Sequence, residues 1–423
     1  MDADIRRNLS QWQWVPSLYF AEGLPYAAVM TLSVVMYKCM GIGNDDVAFY
    51  TSWLYLPWVV KALWSPFVEL LSTRRRWVVA TQGGMAVAFA LIAFWITAPV
   101  GSWFVLSLSA FWVLAFVSAT HDIAADGFYM LALDERRQAW WVGLRSGFYR
   151  GALVFGQGAL VYLAGAVEHR LGVEGSWRMV FLLLSAIFVL LALWHGFRLP
   201  RPTDDNRAPL RPVAEIMAEF VATFRYYFTK PGVWGAIAFI FLYRFPEAML
   251  VKLITPFMLD APEAGGLGLS TAQVGVTYGV IGVGGLLLGG ILGGFAVARS
   301  GLRQWIMPMA VAMSLSCLTF LYLSMSELVA LSVVNICVFI EQFGYGFGLT
   351  AFTLYLLYFS DGPSRTACYA ICTGFMALGM MLPGMVAGWI QVRIGYTPFF
   401  TLAAVGCVTT IAIAEMARRR LKS

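Results

Sequence analysis

An all-α polytopic membrane protein, with about twelve transmembrane helices, is the fold class this sequence predicts. Two observations carry that prediction. Of 423 residues, 60% are hydrophobic and only 12% charged, with a mean hydropathy of +0.73, more apolar sequence than a soluble core can use. The apolar residues also fall into runs of roughly 20 or more, the length that crosses a bilayer. These runs are 14–37, 47–70, 77–98, 103–130, 140–165, 177–197, 233–258, 271–297, 304–323, 328–357, 367–391 and 398–417. Residues 1–13 are polar and the first apolar run is too long for a signal-peptide core, so the first helix is expected to remain in the mature chain.

The basic residues set the topology. Cytoplasmic loops collect Lys and Arg. With the N-terminus inside, that side holds Arg6, Arg7, Arg74, Arg75, Arg76, Arg136, Arg137, Arg198, Arg201 and Arg418 to Arg420, while the outer side keeps Lys38, Arg170, Arg178 and Arg393. Lys61, Arg145, Arg150, Arg244 and Lys252 lie within spans. Both termini are therefore expected in the cytoplasm, and the net charge of +6 reads as a topology signal. Nucleic acid is not an expected partner, because the basic residues are scattered through short loops without a recognition motif.

The chain divides near its middle into three parts: residues 1–197, an N-terminal six-helix bundle; 198–232, a cytoplasmic linker with an amphipathic helix; and 233–423, a C-terminal six-helix bundle. The linker helix, VAEIMAEFVATFRYYF over 213–228, carries Glu215, Glu219 and Arg225 among apolar residues, a pattern suited to a membrane interface or a plain linker. Two six-helix halves with internal echoes suit the parallel repeats of the major facilitator fold, whose substrate site lies between halves near the midplane. ELLSTRRRW (69–77) after the second span answers FAVARSGLRQW (295–305) after the eighth. Glu69 and Arg75 in the first copy are the gating candidates of that loop. Glu22 in span one answers Glu247 in span seven, and Asp122 in span four answers Glu341 in span ten.

Charges inside spans point to a transporter. Each costs about 2.5 to 3.5 kcal/mol at a helix centre, so such residues normally pair, face a cavity and mark a substrate or proton route. Glu22, Lys61, Asp122, Arg150, Arg244, Glu247 and Glu341 are placed this way. At 1.5 Å rise per residue, Glu22, Asp122 and Arg150 share one depth, while Asp126 and Arg145 share a shallower one. Asp122 is expected to pair with Arg150, and Asp126 with Arg145, the second pair serving structure or a cytoplasmic gate. Asp122 and Asp126 are i, i+4 neighbours whose bare carboxylates would repel without such partners. A carboxylate in a dry cavity is costly when charged unless a cation neutralises it, so losing that cation to a substrate is a physical route to proton uptake. Glu22, with no cation at its level on its own helix, leads the proton-coupling candidates, followed by Asp122, Glu247 and Glu341. Glu247, three residues after Arg244, is also open to a structural or gating reading.

Other features read as packing. Pro57 and Pro66 are expected to bend the second span. Glycines 282, 284, 285, 289, 290, 293 and 294 include GxxxG spacings that suit close helix approach and form no phosphate loop. Cys39, Cys317, Cys337, Cys368, Cys372 and Cys407 show no C-x-x-C pair, and His121, His169 and His195 are far apart, so neither a metal nor another cofactor is expected. A membrane enzyme is the reading from another class, but H-E-x-x-H, G-x-S-x-G and Walker motifs are all missing, so no catalytic residue is assigned. A signalling receptor remains an alternative, and a channel is disfavoured by the twin-half pattern.

Several segments resemble the AmpG family of muropeptide permeases, related in turn to acetyl-CoA transporters. They are GLPYA (23–27), KALWSPFVE (61–69), SATHDIAADGF (118–128), FYRG (148–151), LYRFPEA (242–248), STAQVG (270–275), EQFGYGFG (341–348) and PGMVAGW (383–389), and together they span most of the chain. The resemblance implies an inner-membrane, proton-driven importer of N-acetylglucosaminyl anhydro-N-acetylmuramyl peptides for cell-wall recycling; a monomer is expected. The sequence departs from the family pattern at Glu22 (a small polar residue there), His121 (commonly Gln), Arg244 (Lys) and Glu247 (Asp). A smaller sugar or another anion, such as sialic acid or acetyl-CoA, is the alternative. A ligand with carboxylates and amide-bearing sugar rings wants fixed cations and aromatic faces. Lys61, Arg150 and Arg244 are the cation candidates; Tyr19, Phe20, Tyr26, Trp64, Tyr149 and Tyr243 the stacking candidates; and His121 a further cavity contact.

Overall fold

The computed structural model describes residues 11–97, 101–202, 205, 213–326, 329–362 and 365–421; the side chains of some helical residues, including Pro66, Glu69 and Glu219, also lie outside the description. Every regular element among the described residues is helical. In chain order they are α1 (Val15–Cys39), α2 (Asn44–Trp53), α3 (Ser65–Leu71), α4 (Arg74–Trp95), α5 (Trp103–Ala132), α6 (Glu135–Val154), α7 (Val161–Arg198), α8 (Val213–Thr229), α9 (Val233–Tyr243), α10 (Phe245–Leu259), α11 (Thr271–Ser300), α12 (Leu302–Ser324), α13 (Leu331–Ser360), α14 (Arg365–Ile394) and α15 (Tyr396–Arg420).

Nine of the described helices are continuous, long and apolar enough to cross a membrane, and the physical reasons account for the difference from twelve. The fifth and sixth spans run together as Gly143–Arg198, with only Gly172, at φ 71°, turning the chain between them. The second and seventh spans are each broken. In the second, Pro57 and Pro66 flank a stretch where helix gives way to a 3₁₀ turn, Lys61–Leu63. In the seventh, Arg244 leaves helical geometry and Pro246 restarts it as α10. A cation thus stands at each break. Discontinuous spans of this kind present backbone and charge inside a bundle rather than to lipid.

Local chemistry fixes the helix starts. The Thr73 hydroxyl accepts from the Arg76 N–H, Asp134 accepts from Arg137, and Ser270 forms a reciprocal capping box with Gln273. Asp205 accepts from the N–H groups of Arg74 and Arg75 at 2.8 and 3.1 Å, covering the positive end of α4.

By contact the chain forms two compact units. Unit 1 comprises residues 1–33 and 60–212; unit 2 comprises 34–59 and 213–423. In unit 1, α1 packs on α6, α4 on α5, and α7 on α4, around Trp14, Leu18, Phe128 and Trp141. In unit 2 the closest pairing is α11 with α13, where Gly285 and Gly289 let the backbones meet. A Cβ added to Gly289 would lie 2.1 Å from the Phe343 carbonyl oxygen, so only glycine fits. The second close pairing is α2 on α14, where a Cβ on Gly388 would fall 2.2 Å from the Asn44 carbonyl. Lipid tails are as apolar as the side chains, so this contact geometry replaces the solvent-driven burial of a soluble core.

Candidate functional site

Each unit holds, among its described residues, a cluster of opposed charges within the spans. In unit 1 it is built by α1, the broken second span, α5 and α6. Close packing of α1 on α6 requires Gly23, where a Cβ would lie 2.6 Å from the Tyr149 carbonyl oxygen. This leaves Glu22 half-buried, with its Oε2 buried and without a hydrogen-bond partner. Asp126, Asp122, Lys61 and Arg145 are its electrostatic neighbours. The cations near Glu22 therefore come from other helices.

Lys61, freed from regular helix by its 3₁₀ turn, brings Nζ to 3.8 Å from Asp122 Oδ2. Lys61, on an element the depth argument did not place, is therefore a cation partner of Asp122 that the expectation of Arg150 missed. Arg150 neighbours Tyr149, which also lies in the field of Tyr26, Asp122 and Glu22. The shallower pair forms as expected. Arg145 Nη1 lies 3.0 Å from Asp126 Oδ1 and donates to the Tyr19 hydroxyl at 2.7 Å, while Tyr19 donates to Asp126 at 3.2 Å. The guanidinium also sits 5.1 and 4.8 Å from the Tyr19 and Tyr129 ring centres. Trp64 donates to Thr120 at 3.2 Å and packs on Phe116, and Phe20 packs on Phe155.

His121 is turned away from this cluster. It is fully buried, with Nε2 3.1 Å from Gln82, whose other amide atom meets His195 Nδ1 at 2.9 Å; His195 Nε2 in turn lies 2.9 Å from Ser17 Oγ. The Gln82 amide nitrogen donates to His121 Nε2 and its oxygen accepts from His195 Nδ1, while the Ser17 hydroxyl donates to the Trp14 carbonyl at 3.2 Å. The network ties α1, α4, α5 and α7 together. Arg75 likewise acts within unit 1, donating to the carbonyls of Leu199 (3.3 Å) and Gly196 at the end of α7. The Glu69 side chain lies outside the described residues.

The unit 2 cluster is drier. Arg244 donates to Glu247 Oε2 from Nε and Nη2 at 3.2 and 3.1 Å and to the Tyr345 hydroxyl at 2.7 Å, with Tyr345 and Phe352 rings 5.3 and 5.5 Å from its carbon. Glu341 accepts from Gln342 at 2.8 Å and has Glu247 as an electrostatic neighbour. Glu247 and Glu341 are each 2% exposed and Arg244 6%. The structure thus joins Glu247 to Glu341 within unit 2 as it joins Glu22 to Asp122 within unit 1. Tyr243 is fully buried, stacked with Phe239 and Phe352, and its hydroxyl donates to the Gly348 carbonyl at 3.1 Å.

Two arrangements escaped the sequence reading. One end of unit 2 is closed by a polar cap: Asp260 meets Lys38 at 2.5 Å, Tyr396 at 2.6 Å and Asn44 at 3.1 Å, and Asn44 also reaches Gln391 at 2.9 Å. Beneath it Lys252 is buried. Hydropathy flags Lys252 as a charge in a span but says nothing of its surroundings; the cap joins residues more than 130 positions apart and left no local signal. Among the described residues, no group of three or more His, Cys, Asp or Glu side chains is placed to hold a metal.

The Major Facilitator Superfamily family model matches residues 17–367. Over 414 residues the chain is 27% identical to the anhydromuropeptide permease of Escherichia coli K12, covering 96% of this chain and 79% of that protein; the O157:H7 protein matches equally. Among solved structures, a bacterial homologue of the human lysosomal transporter Spinster superposes with a TM-score of 0.70 at 16% identity, over 98% of this chain and 97% of the other. The nucleoside transporter NupG superposes with a TM-score of 0.71 at 14% identity, over 98% and 100%. At these identities the two structures speak for the fold alone.

Proposed function

Because the chain belongs to the Major Facilitator Superfamily and is a multi-pass membrane transporter of AmpG type, we propose that it imports anhydromuropeptides across the inner membrane by proton symport. It works by alternating access, as a monomer with both termini in the cytoplasm. The substrate class follows the full-length similarity to a permease of that name. Proton coupling rests on one observation: Glu22 presents a buried carboxylate oxygen without a hydrogen-bond partner, in the field of two aspartates that have cations of their own.

The chemistry runs through Lys61. It is the more exposed partner of its pair, its ammonium is only at the edge of ion-pairing distance from Asp122, and its backbone lies at a helix break. A substrate carboxylate that draws Lys61 away removes the nearest positive charge from Asp122 and Glu22. The three acids are then less neutralised, and taking up a proton at Glu22 relieves the repulsion. Substrate and proton consequently enter together. Tyr26 and Tyr149, beside the same carboxylates, offer faces for a sugar ring. In unit 2, Arg244 is the second carboxylate ligand, with Glu247 and Glu341 as the acids it governs. Arg75, Asp126, Arg145 and Glu69 act in gating.

The test is uptake of labelled anhydromuropeptide into liposomes containing the purified protein. Accumulation above equilibrium with an inward proton gradient, lost when the gradient is collapsed, is the expected result. No uptake by a folded preparation would remove the substrate; uptake without accumulation would remove the coupling.

A further inference from the structure

Lys252 is the one intramembrane cation of unit 2 whose position the symport scheme leaves unused. It sits on α10, seven residues before the Leu259 end, and is 6% exposed. Its surroundings differ from those of three other intramembrane cations. Lys61, Arg145 and Arg244 each face a carboxylate. Among the described residues Lys252 has no acid within ion-pairing distance and no charged group acting on it. Its ammonium donates to Thr51 Oγ1 at 2.8 Å and lies 5.5 Å from the Tyr55 ring centre. Thr51 passes its own proton to the Val47 carbonyl at 2.6 Å, so it is an acceptor only. An ammonium carries three N–H donors, and two remain here without a partner among the described residues.

A second, independent feature lies beside it. Ser52 is fully buried and its Oγ has no hydrogen-bond partner. Ser52 Oγ and the Lys252 stem border the same notch at Gly384: a Cβ there would lie 2.6 Å from Ser52 Oγ and 3.1 Å from Lys252 Cγ. A lone ammonium and an idle hydroxyl in an apolar core are costly to keep, and both costs vanish when one carboxylate accepts from both. α2 and α10 meet in antiparallel register, Asn44 at Asp260 and Thr51 at Lys252, so the cap closes directly over this notch.

We propose that Lys252 and Ser52 form a carboxylate-binding subsite for the transported solute, held closed in this structure by Thr51, Tyr55 and the cap, and opened when α2 parts from α10. The inference rests on the transporter reading and narrows it: the solute carries a carboxylate that meets Lys252 on one side of the cycle. Thr51 is then a resting acceptor for the ammonium, not its purpose.

N-acetylmuramic acid and N-acetylglucosamine differ by one lactyl carboxylate and serve as the probe pair, with binding measured by thermal shift titration of the protein in nanodiscs. Wild type is expected to half-saturate at about tenfold lower N-acetylmuramic acid than N-acetylglucosamine. In Lys252→Met the two should converge to within about twofold, with an unchanged or raised melting temperature, because an unpaired buried charge has been removed. In Thr51→Val the tenfold preference should survive. A preference kept by Lys252→Met overturns the subsite, as does a wild type that favours neither this probe nor an alanyl-glutamate peptide over its amide. Convergence in both variants with a lowered melting temperature makes Lys252–Thr51 a structural clamp and also overturns it. A carboxylate preference that depends on Lys252, in a protein that does not take up anhydromuropeptide, keeps the subsite and discards the proposed substrate.

Discussion

The unit 1 cluster sets three acids, Glu22, Asp122 and Asp126, against two cations, Lys61 and Arg145; the unit 2 cluster sets two acids, Glu247 and Glu341, against Arg244. Fully ionised, each carries one excess negative charge. They differ in hydration. Side-chain exposure reaches 35% at Lys61 and 49% at Asp126, whereas Arg244 and Glu247 stand at 7% and 3%. A wet pair can exchange partners at small cost, while a dry one cannot be broken without stranding a charge. The same excess charge therefore permits cheap partner exchange in unit 1 and makes it costly in unit 2, where a ligand carboxylate would have to replace the lost partner.

The sharpest way to break that contrast is Glu22→Gln. Gradient-driven accumulation should disappear while exchange of labelled for unlabelled substrate continues; accumulation equal to wild type would end the case for Glu22. Next comes Arg244→Ala, which leaves Glu247 buried alone and should destabilise the protein by about 3–5 kcal/mol, read from thermal or denaturant unfolding in detergent. Adding Glu247→Gln should recover part of the loss. A mild effect of Arg244→Ala would mean that unit 2 is as hydrated as unit 1. Removing the Tyr345 hydroxyl with Tyr345→Phe takes away a hydrogen bond to a charged group, and a loss of about 1.5–3 kcal/mol is expected in the same measurement. The smallest stability change belongs to Lys61→Ala, about 0–1 kcal/mol, since that pair is long and partly exposed. Its uptake should nevertheless be impaired, and a large stability loss would contradict the idea that unit 1 is built to exchange partners.

Much of this was legible before any coordinates. Hydropathy found the spans because a bilayer demands an uninterrupted apolar length, and the insertion penalty picked out the buried charges, since few residues meet that penalty without a reason. Local spacing found Arg244 with Glu247, three residues apart on neighbouring turns, and equal depth found Asp126 with Arg145. Depth missed Lys61 beside Asp122 because it counts along straight helices, and Lys61 stands where the second span stops being one. His121 and Tyr243 were legible as polar or aromatic faces at cavity depth, but rotation about the helix axis decided that one joins Gln82 and the other the Gly348 carbonyl.

The sequence by itself determined the membrane class, the spans, the family resemblance and the identity of nearly every charge that matters, because each follows from transfer free energy or local spacing. Only the tertiary structure revealed Lys61 at Asp122, Tyr345 on Arg244, Asn44 and Lys38 on Asp260, and Lys252 with a hydroxyl and a ring. Partners far apart in sequence are chosen by where helices break and how closely glycines let them approach, and neither the rotation nor the register of one helix against another is written in the hydropathy of either.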